Sequence, residues 1–401
     1  MSDHKLHLTI LFLATLVAAM YLTPWLEVRC YADNKTEKVV EPPVWSELLQ
    51  EEEEIVGGGE DEVEQITHAS DSFIVDHSRW VPDYATFNAE NIPDSLKFQG
   101  NENARELLYR FFENLEMIDS ADTAPLNVFH FGDSQIEGDR ITGVLRASWQ
   151  KSWGGSGPGL VPAVQPVPAL ALRQETSGDW SRYTRFGEID STLEHDCYGA
   201  MAAFCVAHGN GKIHLRPHPS GFRLNKKWDL AEIHIGAAPL GGDVIITGEH
   251  IETQVHHISP STNGSHSVIT AELSGKKEEL EIEIEGYNVE ITGIRLGAKN
   301  GIQIHNIPMR GSAGMIFKKL DKNHLKKYVE SMDVGLLILQ FGGNAVPYIT
   351  DTIAAERYGR RFSSQLRYLR SLLPGVAIIT IGPSDMGITK LGEEKTYPML
   401  D

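Results

Sequence analysis

The segment that most constrains the fold is an apolar run followed by a glycine-containing turn and an amphipathic stretch. Leu126–Phe131 is typical of a buried strand, Gly132-Asp133-Ser134 predicts a tight turn, and the residues up to Arg146 predict an amphipathic helix. Such a turn leaves the hydroxyl of Ser134 exposed at the end of a strand. The positive end of the following helix would stabilise an oxyanion there, so the local pattern favours acyl transfer.

Two later segments end in residues that suit the same chemistry. Val334–Phe341 is a near-continuous apolar run, typical of a strand buried on both faces, and Gly342-Gly343-Asn344 follows it. We therefore expect Asn344 at the carboxyl edge of the sheet, which is where ligands bind in open α/β sheets. Residues 302–306 predict another strand, and Gly311 lies shortly after it.

These three segments resemble the first, third and second sequence blocks of the SGNH (GDSL-type) hydrolase family. The resemblance implies that Ser134 is the nucleophile, and that the backbone N–H of Gly311 and the side-chain amide of Asn344 hold the oxyanion. Gly157, in a glycine-rich segment, is the alternative to Gly311, and an ordinary turn explains it about equally well. Asp133 is better explained as a turn and helix cap than as a catalytic acid.

The general base is the missing part of this pattern. In the SGNH family the base and its orienting acid come from a late Asp-x-x-His motif, but no histidine follows His324 and Asp385 has none three residues later. A serine nucleophile needs a base within hydrogen-bond reach, so we expect a truncated copy whose missing C-terminal part holds both groups. A less favoured alternative is substitution by His130 or by a histidine of the central region. His130 lies inside the first strand and is best explained as a core histidine with satisfied ring nitrogens.

The remaining pattern predicts an α/β unit interrupted by an all-β one. Helices are predicted over 103–117, 315–329 and 352–373, and parallel strands over 126–131, 302–306, 335–341 and 376–381. These strands are one short of the five that the resemblance implies. Between them, period-two alternation predicts strands over 228–235, 243–247, 267–273, 279–285 and 289–296, which favours a β-sandwich. The predicted fold class is a three-layer SGNH-type parallel sheet interrupted by an inserted jelly roll, with its C-terminal part missing.

The insert resembles the carbohydrate-binding-like jelly roll that peptidoglycan O-acetylesterases of the SGNH family carry at the same point. The resemblance implies that aromatic side chains of the insert stack on sugar faces, Trp180 and Trp228 foremost and Tyr183 and Tyr198 beside them. A place in the core is the alternative for each. Cys197 and Cys205 form either a short-range disulfide or two buried thiols. Neither the cysteines nor the histidines show metal-ligand spacing, so no metal is expected.

The net charge limits the classes of binding partner, and the apolar N-terminal segment predicts where the protein is located. A net charge of −19 argues against binding to nucleic acid or to anionic lipid surfaces. Leu6–Leu26 is an apolar run that predicts either a cleaved signal peptide or an uncleaved membrane anchor, with the anchor slightly favoured. Both interpretations imply export to the cell envelope or periplasm. The acidic, glycine-containing stretch that follows is too polar to fold and predicts a linker.

The predicted organisation has five parts: signal peptide or anchor (1–32), acidic linker (33–71), first hydrolase part (72–167), inserted β-sandwich (168–300) and second hydrolase part (301–401). The resemblance implies a serine esterase that removes O-acetyl groups from a cell-envelope polysaccharide, peptidoglycan first, without a cofactor. Two alternatives stay open. One is a polysaccharide O-acetyltransferase with the same serine chemistry, and the other is a non-catalytic carbohydrate-binding protein on a degenerate hydrolase scaffold.

Overall fold

The computed structural model describes residues 99–118, 124–187, 189–276, 279–384, 386–390 and 393–397. The predicted signal peptide or anchor, the acidic linker and Asp385 lie outside these residues. Within the described ranges, no helix combines the length and the apolar character needed to cross a membrane.

The elements are numbered in chain order. The described α-helices are α1 (Glu102–Met117), α2 (Thr142–Trp153), α3 (Lys322–Ser331) and α4 (Thr352–Leu372). The described strands are β1 (Leu126–Gly132), β2 (Gly159–Val161), β3 (Leu172–Ser177), β4 (Trp180–Thr184), β5 (Ala203–Pro217), β6 (Leu230–Ile235), β7 (Gly242–Gly248), β8 (Ile251–Ile258), β9 (Ser267–Glu272), β10 (Leu280–Gly297), β11 (Ile302–Pro308), β12 (Val334–Gln340), β13 (Ala377–Ile381), β14 (Gly387–Lys390) and β15 (Glu393–Thr396).

A parallel sheet in the order β11-β1-β12-β13 forms the centre of the α/β part. One face packs on apolar side chains of α1 and α2, such as Phe111 and Trp149. The other face packs on α3 and α4 through Leu325 and Leu369 among others. Most residues of β1, β11 and β12 are buried because helices cover both faces of the sheet. The predicted three layers and four parallel strands are confirmed.

A larger antiparallel sheet is formed by the strands between β1 and β11. Its main path is β3-β5-β10-β6-β9, and β2, β4, β7 and β8 attach to it. Alternate residues of β5, β6, β7 and β10 point into a shared core of isoleucine, leucine and alanine side chains around Trp228. The change from an α/β to an all-β pattern is therefore confirmed. The domain limits at 167/168 and 300/301 remain predictions.

Two predicted elements differ from the structure. The helix predicted over 315–329 is a 3₁₀ turn at Phe317–Lys319 followed by α3, because the carboxylate of Asp321 accepts the backbone N–H of His324 at 2.7 Å and starts a new helix. The strands predicted over 279–285 and 289–296 are one continuous strand, β10. A register shift at Tyr287–Val289, with Asn288 at φ 57°, replaces the predicted break.

Candidate active site

The carboxyl edge of the parallel sheet brings the three predicted site segments together. Gly132 at the end of β1 lies opposite Gln340 at the end of β12 and opposite Pro308 at the end of β11. The backbone N–H of Met309 also donates to the carbonyl of Gly132 at 2.7 Å. The chain therefore leaves all three strands at the same level, and the segments carrying Ser134, Gly311 and Asn344 start side by side.

The connection between β1 and α2 is longer than predicted. Ser134 begins a 3₁₀ segment that ends at Asp139 and is kinked at Gly138 (φ 73°), and α2 starts only at Thr142. The expectation of a long helix starting beside the serine is wrong, because Gly138 takes a left-handed conformation that interrupts helical hydrogen bonding. Stabilisation of an oxyanion at Ser134 must therefore come from individual donors rather than from a helix macrodipole.

Asp133 fixes the backbone of this turn. Its side chain is buried, with 1% exposed, and its Oδ1 accepts the backbone N–H of Gln135 at 2.9 Å. Burial raises the pKa of the Asp133 carboxyl, and the bond from Gln135 partly opposes this effect. Arg140 also donates from its guanidinium to the carbonyl of Ser134 at 3.2 Å. The prediction of Asp133 as a turn and helix cap is confirmed.

The side-chain amide of Asn344 bridges the ends of β12, β11 and β1. Its Nδ2 donates to the carbonyl of Ser312 at 3.1 Å and to Oδ2 of Asp133 at 3.3 Å. A Cβ on Gly343 would lie 3.2 Å from Oδ2 of Asp133, so a glycine there lets the loop approach the serine turn closely. The amide thus already faces a negatively charged group next to Ser134. Donation to an oxyanion requires it to give up one of its two bonds.

The two candidate glycines differ in what their N–H groups contact. Gly311 has a left-handed backbone (φ 76°), and its N–H has no hydrogen-bond acceptor within the described part of the chain. The N–H of Gly157 donates to the carbonyl of Leu224 at 2.9 Å, and a Cβ there would lie 2.4 Å from the carbonyl oxygen of Leu296. Gly157 is therefore a packing position against the antiparallel sheet. Gly311 stays the candidate oxyanion donor.

Ser134 itself is half-buried, and its hydroxyl has no partner among the residues that the structure describes. His130, the alternative base, is fully buried, and its ring nitrogens hydrogen-bond with Thr142 at 3.0 Å and Gln340 at 3.1 Å. Burial lowers the pKa of His130 to about 4. The interpretation of His130 as a satisfied core histidine is confirmed, so it does not act as the base in this arrangement.

The aromatic residues proposed to bind sugar divide into buried and accessible ones. Trp228 is 0% exposed and donates its indole N–H to the carbonyl of Asn225 at 2.8 Å, so its prediction as a sugar-stacking residue is wrong. The sequence does not show whether Trp228 lies on the buried or the solvent-facing side of its strand. In the structure its indole is part of the core. Tyr198 is also buried. Trp180 is partly exposed beside Gly211, and Tyr183 is partly exposed and stacks on Phe204, with ring centroids 5.1 Å apart. Trp180 and Tyr183 remain predictions.

Cys197 and Cys205 are two buried free thiols, which was one of the two alternatives. Burial raises the pKa of the Cys205 thiol, which favours its neutral form. Among the described residues, no group of three histidine, cysteine, aspartate or glutamate side chains is placed to hold a metal ion.

A cavity of about 480 Å³ lies between the carboxyl edge of the parallel sheet and the antiparallel sheet. On the side of the parallel sheet it is lined by Glu137, three residues after Ser134, and by Arg310, next to Gly311. On the side of the antiparallel sheet it is lined by Arg182 and Thr184 of β4. Sequence patterns do not reveal this cavity, because its charged residues are far apart in the chain and each lies in an ordinary polar context.

Comparisons with known proteins give structural matches only: no protein-family model and no curated protein sequence matches the chain. The chain is similar to a solved peptidoglycan O-acetylesterase, with a TM-score of 0.52 and 19% identity over 69% of this chain and 72% of that one. It is less similar to a family two carbohydrate esterase from Cellvibrio japonicus, with a TM-score of 0.19 and 10% identity over 52% of this chain and 78% of that one. At these identities the first match shows the fold.

Proposed function

We propose that this protein is an SGNH-type serine esterase that removes O-acetyl groups from a cell-envelope polysaccharide, with peptidoglycan as the first candidate. The observation that carries the proposal is the convergence of three loops at one sheet edge. The amide of Asn344 lies 3.3 Å from the carboxylate of Asp133, the residue before Ser134, and the N–H of Gly311 belongs to the neighbouring loop. The α/β fold shared with a peptidoglycan O-acetylesterase supports the same reaction class.

In the proposed reaction, Oγ of Ser134 attacks the acetyl carbonyl carbon and loses its proton to a base. The carbonyl oxygen becomes an oxyanion that accepts hydrogen bonds from the N–H groups of Ser134 and Gly311 and from the amide of Asn344. Collapse of this intermediate breaks the ester bond, and the sugar oxygen leaves with a proton. Water then attacks the acetyl-serine and releases acetate.

The antiparallel sheet and the N-terminus complete the proposal. We assign the sheet as an inserted jelly roll that holds the glycan, with Trp180 as its accessible tryptophan. We assign the apolar run Leu6–Leu26 as the anchor that keeps the exported chain in the cell envelope.

The second candidate is a carbohydrate-binding protein without activity. It is favoured by one observation, that the hydroxyl of Ser134 has no base beside it within the described residues. A polysaccharide O-acetyltransferase would form the same acetyl-serine and differ only in the acceptor.

The test is acetate release from O-acetylated peptidoglycan, together with hydrolysis of p-nitrophenyl acetate, by the wild type, Ser134→Ala and Ser371→Ala. Ser371 is an exposed serine on α4 and serves as the matched control. We expect slow hydrolysis that is lost in Ser134→Ala and retained in Ser371→Ala. Equal rates for all three proteins would rule out the esterase. Transfer of acetyl to an added sugar in place of acetate release would identify the transferase.

A further inference from the structure

A second group of reactive side chains lies away from the serine turn, where the loop between β4 and β5 packs on β10. Cys197 and His195 belong to this loop, and Glu290 belongs to β10. Cys197 is 7% exposed, and the side chains of His195 and Glu290 are each 9% exposed. A thiol, an imidazole and a carboxylate in contact are the kinds of group that together activate a sulfur nucleophile.

The hydrogen bonds of His195 decide which of its ring nitrogens is basic. Nε2 lies 3.0 Å from Oε1 of Glu290, and because a carboxylate only accepts, Nε2 carries the hydrogen. Nδ1 is then the acceptor, and it accepts the backbone N–H of Cys197 at 3.2 Å and a hydrogen bond from the Cys197 side chain. The carboxylate thus orients the imidazole, and the imidazole presents its basic nitrogen to the thiol.

The surroundings hold both partners of the thiol in place. The second carboxylate oxygen of Glu290, Oε2, accepts the backbone N–H of Ala237 at 2.9 Å. The ring of His195 packs on that of Phe204, with ring centroids 5.4 Å apart. The arrangement is therefore fixed before any reagent arrives, and no side chain has to be ordered for a proton to move.

The charges around His195 favour its protonated form. Hydrogen bonds with the thiol and with Glu290 raise the pKa of His195 to about 9, although burial opposes them. Asp196, the next residue, pairs with Arg185 at 3.0 Å. Burial lowers the pKa of His324, which faces the group from α3, so its ring adds no charge at neutral pH. His195 is therefore able to take the proton of the thiol and to hold it against Glu290.

Cys205 provides an internal comparison, because it is a buried thiol in a different setting. It is 1% exposed in the core of the antiparallel sheet, and its hydrogen bonds are with backbone groups of Val164 and Ala163. Burial raises the pKa of the Cys205 thiol, and these bonds and the charge of Arg182 oppose the effect only in part. Cys205 is the thiol expected to be unreactive.

The sulfur of Cys197 lies close to the surface. A Cβ on Gly264, in the turn between β8 and β9, would lie 3.7 Å from Sγ of Cys197, so this turn covers the sulfur. The neighbouring Asn263 is exposed, as are Glu194 and Asp196 on either side of His195. A molecule of a few heavy atoms needs only a small displacement of the turn to reach the sulfur.

We propose that Cys197 is a reactive thiol that small hydroperoxides oxidise to a sulfenic acid, with His195 as its base and Glu290 as the group that orients the base. The thiol proton moves to Nδ1 of His195, and the thiolate attacks the terminal oxygen of the hydroperoxide. A sulfur–oxygen bond forms as the oxygen–oxygen bond breaks. The leaving alkoxide or hydroxide takes the proton from Nδ1, so sulfur is oxidised and the peroxide is reduced to an alcohol or water. This inference does not depend on the proposed esterase activity.

The first test measures labelling by iodoacetamide at pH 7, with the peptides of Cys197 and Cys205 quantified separately by mass spectrometry. Every protein is the full chain with Cys30→Ser, which leaves these two thiols. The native chain is compared with the same chain in urea, where about 3% of an ordinary thiol is ionised at this pH. Burial alone only slows labelling, so a native rate above the unfolded rate requires activation of the thiol.

The variants are His195→Gln and Glu290→Gln, and thermal melts check that each is folded. His208→Gln is the matched control, because His208 lies in the same sheet and its ring hydrogen-bonds with Asn288 at 2.7 Å and Ser181 at 2.8 Å. The second test adds hydrogen peroxide in the presence of dimedone, which traps a sulfenic acid as a stable adduct.

We expect native Cys197 to label at least threefold faster than unfolded Cys197, and native Cys205 to label more slowly than unfolded Cys205. His195→Gln and Glu290→Gln should each slow the labelling of Cys197 at least fivefold, and His208→Gln should leave it unchanged. The dimedone adduct should form on Cys197 and be lost in Cys197→Ser.

Three results would overturn parts of the proposal or all of it. Native labelling of Cys197 no faster than in urea would overturn the activation of the thiol, and this comparison needs no variant. Fast labelling that persists in folded His195→Gln and Glu290→Gln would overturn the roles of these two residues. Fast labelling without a dimedone adduct on Cys197 would overturn the assignment to hydroperoxides.

Discussion

We expect the buried imidazole of His130 to make the fold sensitive to acid. Burial lowers the pKa of His130 from 6.5 to about 4, the bond to Gln340 partly opposes this effect, and the charge of Arg146 adds to it. The unfolded chain exposes the same imidazole and binds a proton already below pH 6.5. The neutral His130 therefore supports the folded state fully above pH 6.5, and this support is lost as the pH falls from 6.5 to about 4.

The size of the effect follows from the two pKa values. At 1.36 kcal/mol per unit, the difference between 6.5 and about 4 corresponds to about 3 kcal/mol of unfolding free energy, and most of it, about 2.5 kcal/mol, falls between pH 7.5 and 4.5. Domains of this kind have a total stability of about 5–15 kcal/mol, so one histidine accounts for a large share.

The assay is urea unfolding at pH 7.5 and pH 4.5 for the wild type, His130→Gln and His257→Gln. His130→Gln should be less stable at pH 7.5, because it loses packing, yet should lose about 2–3 kcal/mol less than the wild type on acidification. His257 is an exposed histidine on β8 and serves as the control, so His257→Gln should lose as much free energy between the two pH values as the wild type. An equal loss of free energy in the wild type and His130→Gln would refute the reasoning.

Three further predictions concern the site and the contact between the sheets. In steady-state kinetics on an acetylated sugar, Asn344→Ala should lower kcat about 10²–10³-fold with little change in KM, and Asn344→Asp should lower it at least as much. An Asn344→Ala variant that melts normally and keeps full kcat would contradict the proposed role of Asn344. Trp180→Ala should weaken pull-down by insoluble peptidoglycan in a variant that thermal melts show to be folded. Gly157→Ala should lower the unfolding free energy by about 2 kcal/mol or more, because its Cβ would meet the carbonyl of Leu296 at 2.4 Å. Gly187→Ala, also at positive φ but with open space around it, should cost about 1 kcal/mol, and equal losses would contradict the packing role.

The parallel sheet could be predicted because burial on both faces leaves a strong signal. β12 and β13 are near-continuous apolar runs, whereas β1 and β11 also carry buried polar residues such as His130 and His305; the structure places each strand within two residues of the prediction. The position of Ser134 and Asn344 at one edge follows from parallel strands, since their carboxyl ends meet. Neither conclusion needs knowledge of distant contacts.

The antiparallel sheet was harder to predict because some of its strands contain turn-favouring residues or lack a clear alternation of apolar and polar residues. β5 contains Gly209-Asn210-Gly211, which by sequence favours a turn, yet its residues from Cys205 to Leu215 pair with β10 across one register shift. β4 is short and carries Arg182, so it lacks an apolar alternation that would identify it. The start of α2 at Thr142 depends on the left-handed Gly138, whose conformation the surrounding residues do not specify. These features are decided by tertiary pairing, which overrides local propensity.

The contact between Asn344 and Asp133 bears on how the proposed oxyanion hole would work. In the structure the amide donates both hydrogens, one to the carbonyl of Ser312 and one, over the longer distance of 3.3 Å, to Asp133. An oxyanion at Ser134 would compete for the second hydrogen and would add a negative charge near the buried carboxylate. Burial raises the pKa of Asp133, so uptake of a proton by this carboxyl costs less than in water and would remove the repulsion. The amide is thus held over 3.3 Å by an acceptor that an oxyanion could replace, and in the proposed mechanism this keeps it oriented towards the position of that oxyanion.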